Sequence, residues 1–313
     1  MDWLALDFGP QFGDNFRGLL FLKLLAAKHP EARLHLWTTP QLHQDLGGLI
    51  EELGFIHRFL VHPRSPRQSY EINFGIIKAL KARGLPFTLE HFPPGRGPDG
   101  REYHKLIPTA EPWFSAKLLA GEPLEAPDPV NQGEFLAGML GLNEGELGAA
   151  LPLFGRRREE DVGDYVCLGP CRPDPADPKQ PARELIERLW EVVLASGVEA
   201  VALDRQDWFP PPVSPRVRDL RAGAWEEKVG LLNRARLFIG LDGGLNHFAA
   251  ACGCPTLSFY GSLPGAEPGL LVGPYPRRTP FGRHRFFSRF GDYLAAVGEA
   301  LGKIASGGYS KDS

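Results

Sequence analysis

Long apolar runs are missing from this 313-residue sequence, and nowhere do eighteen apolar residues follow one another, so no membrane-spanning helix is predicted. The opening MDWLALDFG lacks a basic region, a long apolar stretch and a cleavage signal, which predicts a cytoplasmic chain without a secretory leader. An excess of one charge is missing too. The formal charge of −3 is close to neutral for this length and implies neither a nucleic-acid nor an anionic-membrane partner. Cysteine is confined to Cys167, Cys171, Cys252 and Cys254, whose Cys-x3-Cys and Cys-x-Cys spacings invite a zinc reading. Strand and helix placement argues against it, because Cys171 follows a strand's end while Cys252 and Cys254 precede a strand's start. Those are opposite edges of one sheet, roughly 15 to 20 Å apart. Buried thiols and no metal site are expected. No Asp-x-Asp pair and no repeat of solenoid period occurs.

What is present is an alternation of strand-like and helix-like segments, long enough for two domains. WLALDF reads as a strand, DNFRGLLFLKLLAAKHP as a helix, RLHLWTT as a strand, QLHQDLGGLIEELG as a helix and IHRFLV as a strand. EINFGIIKALKARG and PFTLEHF continue the pattern, which weakens between Pro93 and Pro127 into loops and one short helical piece near WFSAKLLAG. A charge run in LPLFGRRREEDVGDY reads as an interdomain linker. Beyond it the alternation resumes with DYVCLGP, ARELIERLWEVVLASG, VEAVALD, AWEEKVGLLNRA, LFIGLD, GLNHFAAACG and PTLSFYG. The expected fold is α/β, with two doubly wound parallel sheets of Rossmann type, residues 1–155 and 156–313, facing across a cleft. The last amphipathic segment, 291–307, is read as a terminal helix docked on one domain, with the first domain a candidate.

Three stretches carry candidate chemistry. In GLDGGLNH a strand ends at Asp242 and a helix begins near Gly244, so glycines bring main chain close to a ligand while free N–H groups and the helix dipole favour a phosphate or diphosphate. His247 lies in the first turn, and Asp242 either caps the helix or fixes a sugar hydroxyl. A tight turn with a capping aspartate is the competing reading. LDFGPQFGDNFRGLL puts Asp14 at another helix start, where capping is again the simpler role. In GPCRPDPADPKQPARELI, Lys179 precedes the second domain's first helix, where a cation meets phosphate or remains solvated.

These pieces, in this order, resemble the ADP-heptose:lipopolysaccharide heptosyltransferases and their relatives, glycosyltransferase family nine, of GT-B fold. FGDNFRGLLFLKLLAAKHPEARLHLWTTP resembles the family's opening, and ARLFIGLDGGLNHFAAACGCPTLSFYGSLPG resembles its ARxxIGxDxGxxHxAAAxxxPTxxxxG segment. The resemblance implies that Asp14 is the general base, that Lys179 contacts the donor's phosphate or sugar, and that Asp242, Gly243, Gly244, Leu245 and His247 hold the donor. It implies an inverting transfer, metal-independent given the missing Asp-x-Asp pair, from a nucleotide-diphosphate sugar, ADP-sugar favoured, with no cofactor. The acceptor is a glycan or lipopolysaccharide-type glycolipid, reached from the cytoplasm with peripheral contact at the inner face of the membrane. Arg64, Arg67 and Arg101, with Arg96 and Lys105 nearby, are acceptor-binding candidates or merely solvated loop charges. Three departures leave the donor sugar open: PKQPARE where Lys-x-Trp-Pro is common, Gly243 where Thr or Ser is usual, and GSLPG for GPTDP. A nucleotide-sugar epimerase-like enzyme and a catalytically silent sugar-nucleotide-binding protein are the alternatives.

Overall fold

The computed structural model describes residues 2–6, 12–62, 94–105, 143–150, 152–171, 181–204, 209–241, 243–259, 278–279, 282–283, 285–287 and 289–307. They fall into two compact units, Met1–Pro127 with Gln132–Ala150, and Leu151–Ser313 with Asp128–Asn131.

In the first unit β1 (Asp2–Leu6) leads into α1 (Phe12–Lys28), then β2 (Arg33–Thr38), α2 (Pro40–Glu51), β3 (Ile56–Val61), β4 (Pro94–Arg96), β5 (Glu102–Lys105) and α3 (Glu144–Ala149). The sheet order is β3-β2-β1-β5-β4, parallel except for the β4–β5 hairpin. Phe16, Leu19, Leu20, Leu22, Leu24 and Leu25 bury most of the circumference of α1. Thr39 caps α2 by accepting the Leu42 N–H at 3.4 Å, and Pro40 takes the first helical position, where its missing N–H costs nothing. Glu102–Lys105, read from sequence as loop, is instead a strand beside β1. Of Glu102, Tyr103 and His104 only Tyr103 is buried, so no apolar run marks it. The segments 71–84 and 86–92 lie outside the described residues.

The second unit runs β6 (Tyr165–Gly169), α4 (Arg183–Ser196), β7 (Glu199–Ala202), β8 (Val217–Asp219), α5 (Trp225–Arg234), β9 (Leu237–Leu241), α6 (Gly244–Ala251), β10 (Thr256–Phe259), the antiparallel pair β11 (Arg278–Thr279) and β12 (Gly282–Arg283), β13 (Arg285–Phe287) and α7 (Phe290–Ala305). Its sheet order β13-β10-β9-β6-β7-β8 is parallel throughout. The chain therefore winds outward from β6 in one direction through β7 and β8, and in the other through β9 and β10. That reversal is the topological switch point of a doubly wound sheet. Strands buried on both faces read as continuous apolar runs, as YVCLG and LFIGL do. α4 buries Ile186, Leu189, Trp190 and Val193 at helical spacing and stops at Gly197, whose φ of 77° is left-handed. The terminal helix α7 packs on α4, with Tyr293, Val297, Leu301 and Ile304 in this unit's core.

The charge run before β6 is anchored to the second unit at several points. Leu153 and Phe154 are buried, and both their N–H groups reach the Ala251 carbonyl. Arg157 is also buried, and its Nη1 donates to the carbonyls of Leu232, Asn233 and Ala235 at 3.4, 3.1 and 2.7 Å. Those acceptors close the C-terminus of α5, where a cation also meets the negative end of the helix dipole.

Candidate active site

At the switch point, β6 and β9 pair Gly169 with Gly240. A β-carbon on Gly169 would come within 2.6 Å of Leu245 Cδ2, and one on Gly240 within 2.8 Å of the Gly169 carbonyl oxygen. Glycine at both positions lets the first turn of α6 settle onto the end of β6. The Tyr293 hydroxyl donates to the Gly240 carbonyl at 3.1 Å, which fixes this strand end from the α7 side.

The N-cap of α6 is Gly243, in extended backbone and with no side-chain cap. The His247 N–H closes the first turn on the Gly243 carbonyl at 3.1 Å. By helix geometry the N–H groups of Gly244, Leu245 and Asn246 have no partner inside the helix, and the dipole is positive there. Buried Asn246 accepts a hydrogen bond from buried Ser258 of β10, which anchors this turn to the sheet. His247 is buried as well, at 3 % exposure. An uncapped helix start at the C-terminal edge of a parallel sheet, beside the switch point, is suited to hold an anion such as a phosphate.

Sequence reading passed over one residue at this edge. Asp204 stands two residues beyond β7 and is 6 % exposed. Burial pushes its carboxyl up to about 6, against the hydrogen bonds of the Cys171 thiol and main chain and the charge of Arg221. Burial and the neighbouring Asp204 charge push the Cys171 thiol up in turn. The signal was present, since VEAVALD ends on an aspartate just as LFIGLD does.

Of the residues singled out in the sequence, Gly243, Gly244, Leu245 and His247 come together at the start of α6. Asp242, Lys179, Arg64 and Arg67 lie outside the described residues. Asp14 is the third residue of α1, beyond the edge where β1 ends, and its side chain lies outside the described residues. Arg101 immediately precedes β5, which runs parallel to β1, so it stands at the opposite edge of that sheet. There it is exposed, with Nε 3.9 Å from Asp99. The four cysteines are buried free thiols. Among the described residues no cluster of three or more His, Cys, Asp or Glu side chains is placed to hold a metal ion, and no helix is long and apolar enough to cross a membrane.

Solved structures share this arrangement. The Escherichia coli heptosyltransferase WaaC with ADP matches with a TM-score of 0.54 at 16% identity, over 97% of this chain and 100% of that one. The E. coli ADP-heptose LPS heptosyltransferase II matches with 0.51 at 13% identity, over 99% and 100%. The dodecameric, iron-containing heptosyltransferase TibC of E. coli, in complex with ADP-D-β-D-heptose, matches with 0.50 at 14% identity, over 98% and 75%. No curated protein matches the sequence. Two doubly wound units in one chain, matched end to end by these enzymes, define the GT-B class of fold. Residues 182–275, which contain β7, β9 and the start of α6, match the model of glycosyltransferase family 9 (heptosyltransferase). Over that segment the chain is similar to the heptosyltransferases of this family, and over its whole length it shares their fold.

Proposed function

We propose that this chain moves a sugar, heptose or a relative, from a nucleotide-diphosphate donor to a hydroxyl of a glycan or glycolipid, with inversion and without a metal ion. The observation that carries the reading is the uncapped start of α6 at the switch point, inside the segment that matches the family. The N–H groups of Gly244, Leu245 and Asn246 hold the diphosphate, Lys179 adds a cation, and Asp242 fixes a hydroxyl or caps the turn. Asp14 takes the proton of the acceptor hydroxyl. The acceptor oxygen forms its bond to the anomeric carbon as the bond to the diphosphate oxygen breaks, and the electron pair leaves on the diphosphate, where the helix start stabilises it. One base and one direct displacement invert the anomeric centre. Metal independence rests on the missing Asp-x-Asp pair in the sequence.

Asp14 stands inside the first turn of α1, where its charge meets the positive end of the helix dipole, so Asp14→Asn should lower stability by about 1 kcal/mol at most. The amide is no base, so transfer should fall roughly 10²-fold or more while nucleotide binding holds. The assay is sugar transfer from ADP-heptose to a glycolipid acceptor, run with and without EDTA, beside thermal shift with ADP. Normal transfer by Asp14→Asn would remove Asp14 from the mechanism, and loss of transfer in EDTA would overturn metal independence. If neither ADP, UDP, GDP nor dTDP raises the melting temperature at millimolar concentration, the donor site itself is wrong.

A further inference from the structure

Lys228, the fourth residue of α5, is fully buried. Lysine is rarely buried so completely, and in the first turn of a helix the dipole also disfavours a cation, so packing alone does not account for it. What it gains is two main-chain acceptors from separate segments. Its Nζ donates to the carbonyls of Leu203 at 3.0 Å and Arg221 at 2.9 Å.

Both acceptors belong to the C-terminal edge of the sheet. Leu203 follows β7, and its own N–H reaches the Leu168 carbonyl of β6 at 2.8 Å. Arg221 lies in the turn after β8, where the Leu220 N–H binds the Ala202 carbonyl at 3.0 Å and the Gly223 N–H closes on the Leu220 carbonyl at 3.1 Å. Nζ also stands 5.0 Å from the ring centroid of Trp225, the first residue of α5, and that ring meets Phe248 of α6 edge-on at 5.0 Å. One side chain thus ties the ends of β7 and β8 to a helix start braced against α6.

The crevice of a doubly wound sheet opens at its switch point, here between β6 and β9, and so lies on the β7 and β8 side of α6. Two strand spacings, about 10 Å, separate the ends of β9 and β7. A nucleoside diphosphate whose diphosphate sits on α6 therefore carries its nucleoside toward the main chain that Lys228 holds.

We infer that Lys228 is a positioning residue for nucleotide binding: without touching the ligand, it fixes the main chain after β7 and the turn after β8 as the wall against which the nucleoside lies. This rests on the donor-site reading above. A lysine with a structural role alone would change stability and leave the relative affinities of ligands as they are. A positioning residue changes the affinity of the ligand that reaches the wall and spares the one that stops at α6.

The test is calorimetric titration of the full chain, wild type and Lys228→Met, at a temperature where both are folded. The ligands are inorganic pyrophosphate and whichever of ADP, UDP, GDP and dTDP wild type binds most tightly. Lys228→Met should bind the nucleotide about tenfold more weakly and pyrophosphate as wild type does. Equal loss for both ligands, or no loss for the nucleotide, would overturn the assignment. Hydrogen exchange on wild type needs no variant to fold, and the segment 220–224 should gain protection with saturating nucleotide and none with pyrophosphate. Unchanged exchange there with nucleotide bound would overturn the assignment as well. A wild-type chain that binds none of the four nucleotides, or no pyrophosphate, would instead sink the donor-site reading, and this assignment with it.

Discussion

Asp204 gives the chain a pH dependence whose sign is fixed by its surroundings. Its carboxyl ionises at about 6 in the fold, above the usual value of 3.8, because burial outweighs the Cys171 hydrogen bonds and the Arg221 charge. Between those two pH values the unfolded chain has already released the proton that the folded chain still holds, so stability falls as pH rises. The contribution is intact below pH 3.8, is lost through about 6, and amounts to something on the order of 3 kcal/mol. Asp204→Asn removes the titration. It should therefore unfold at higher urea than wild type at pH 8, and the gap should close as pH is lowered toward 4. A gap that stays constant over this range would show that Asp204 does not titrate in the fold as its burial requires.

At the scale of elements, what the sequence disclosed depended on how completely each element is buried. α1, β6, β9 and α6 were legible because helical spacing or an unbroken apolar run reports burial directly. β5 and β8 were not, since EYHK and VRD are half-exposed strands held by neighbours distant in sequence. The glycine turn of the site was legible for the same reason as β9, whereas Asp204, which ends VEAVALD as Asp242 ends LFIGLD, was passed over because no glycines follow it. The charge run before β6 disclosed no contact of its own, yet Arg157 within it caps α5 and ties the strap at 152–158 to the second unit. Gly155 is the hinge of that strap. It takes φ +67°, and a β-carbon there would strike the side chain of Asn233, which itself binds the carbonyls of Phe154 and Cys252 at 3.2 and 2.6 Å. Gly155→Ala combines left-handed strain with that collision, and should destabilise the second unit by about 2 kcal/mol or more. A urea midpoint equal to wild type would mean that the strap does not hold this conformation in solution.

At the scale of the whole molecule, the residues assigned to the nucleotide and the base assigned to the acceptor belong to different units. The start of α6 and the Asn246–Ser258 pair that anchors it lie within 151–313, while Asp14 lies in the first unit. The second unit also closes its own core. α7 returns to α4 and packs Tyr293, Val297, Leu301 and Ile304 among residues of β6, β7, β9 and β10, and the strap at 152–158 seals the ends of α5 and α6. A segment with its own core is able in principle to fold alone. Residues 151–313 produced separately should therefore unfold in one cooperative transition and bind ADP within about threefold of the full chain, because no assigned nucleotide contact is removed. They should transfer no sugar, since Asp14 is absent. The measurement is calorimetric titration of ADP onto both chains. ADP binding lost in the shorter chain while its fold persists would place part of the nucleotide site in the first unit. ADP binding retained would locate recognition of the donor nucleotide in the second unit alone and leave acceptor activation as the work of the first.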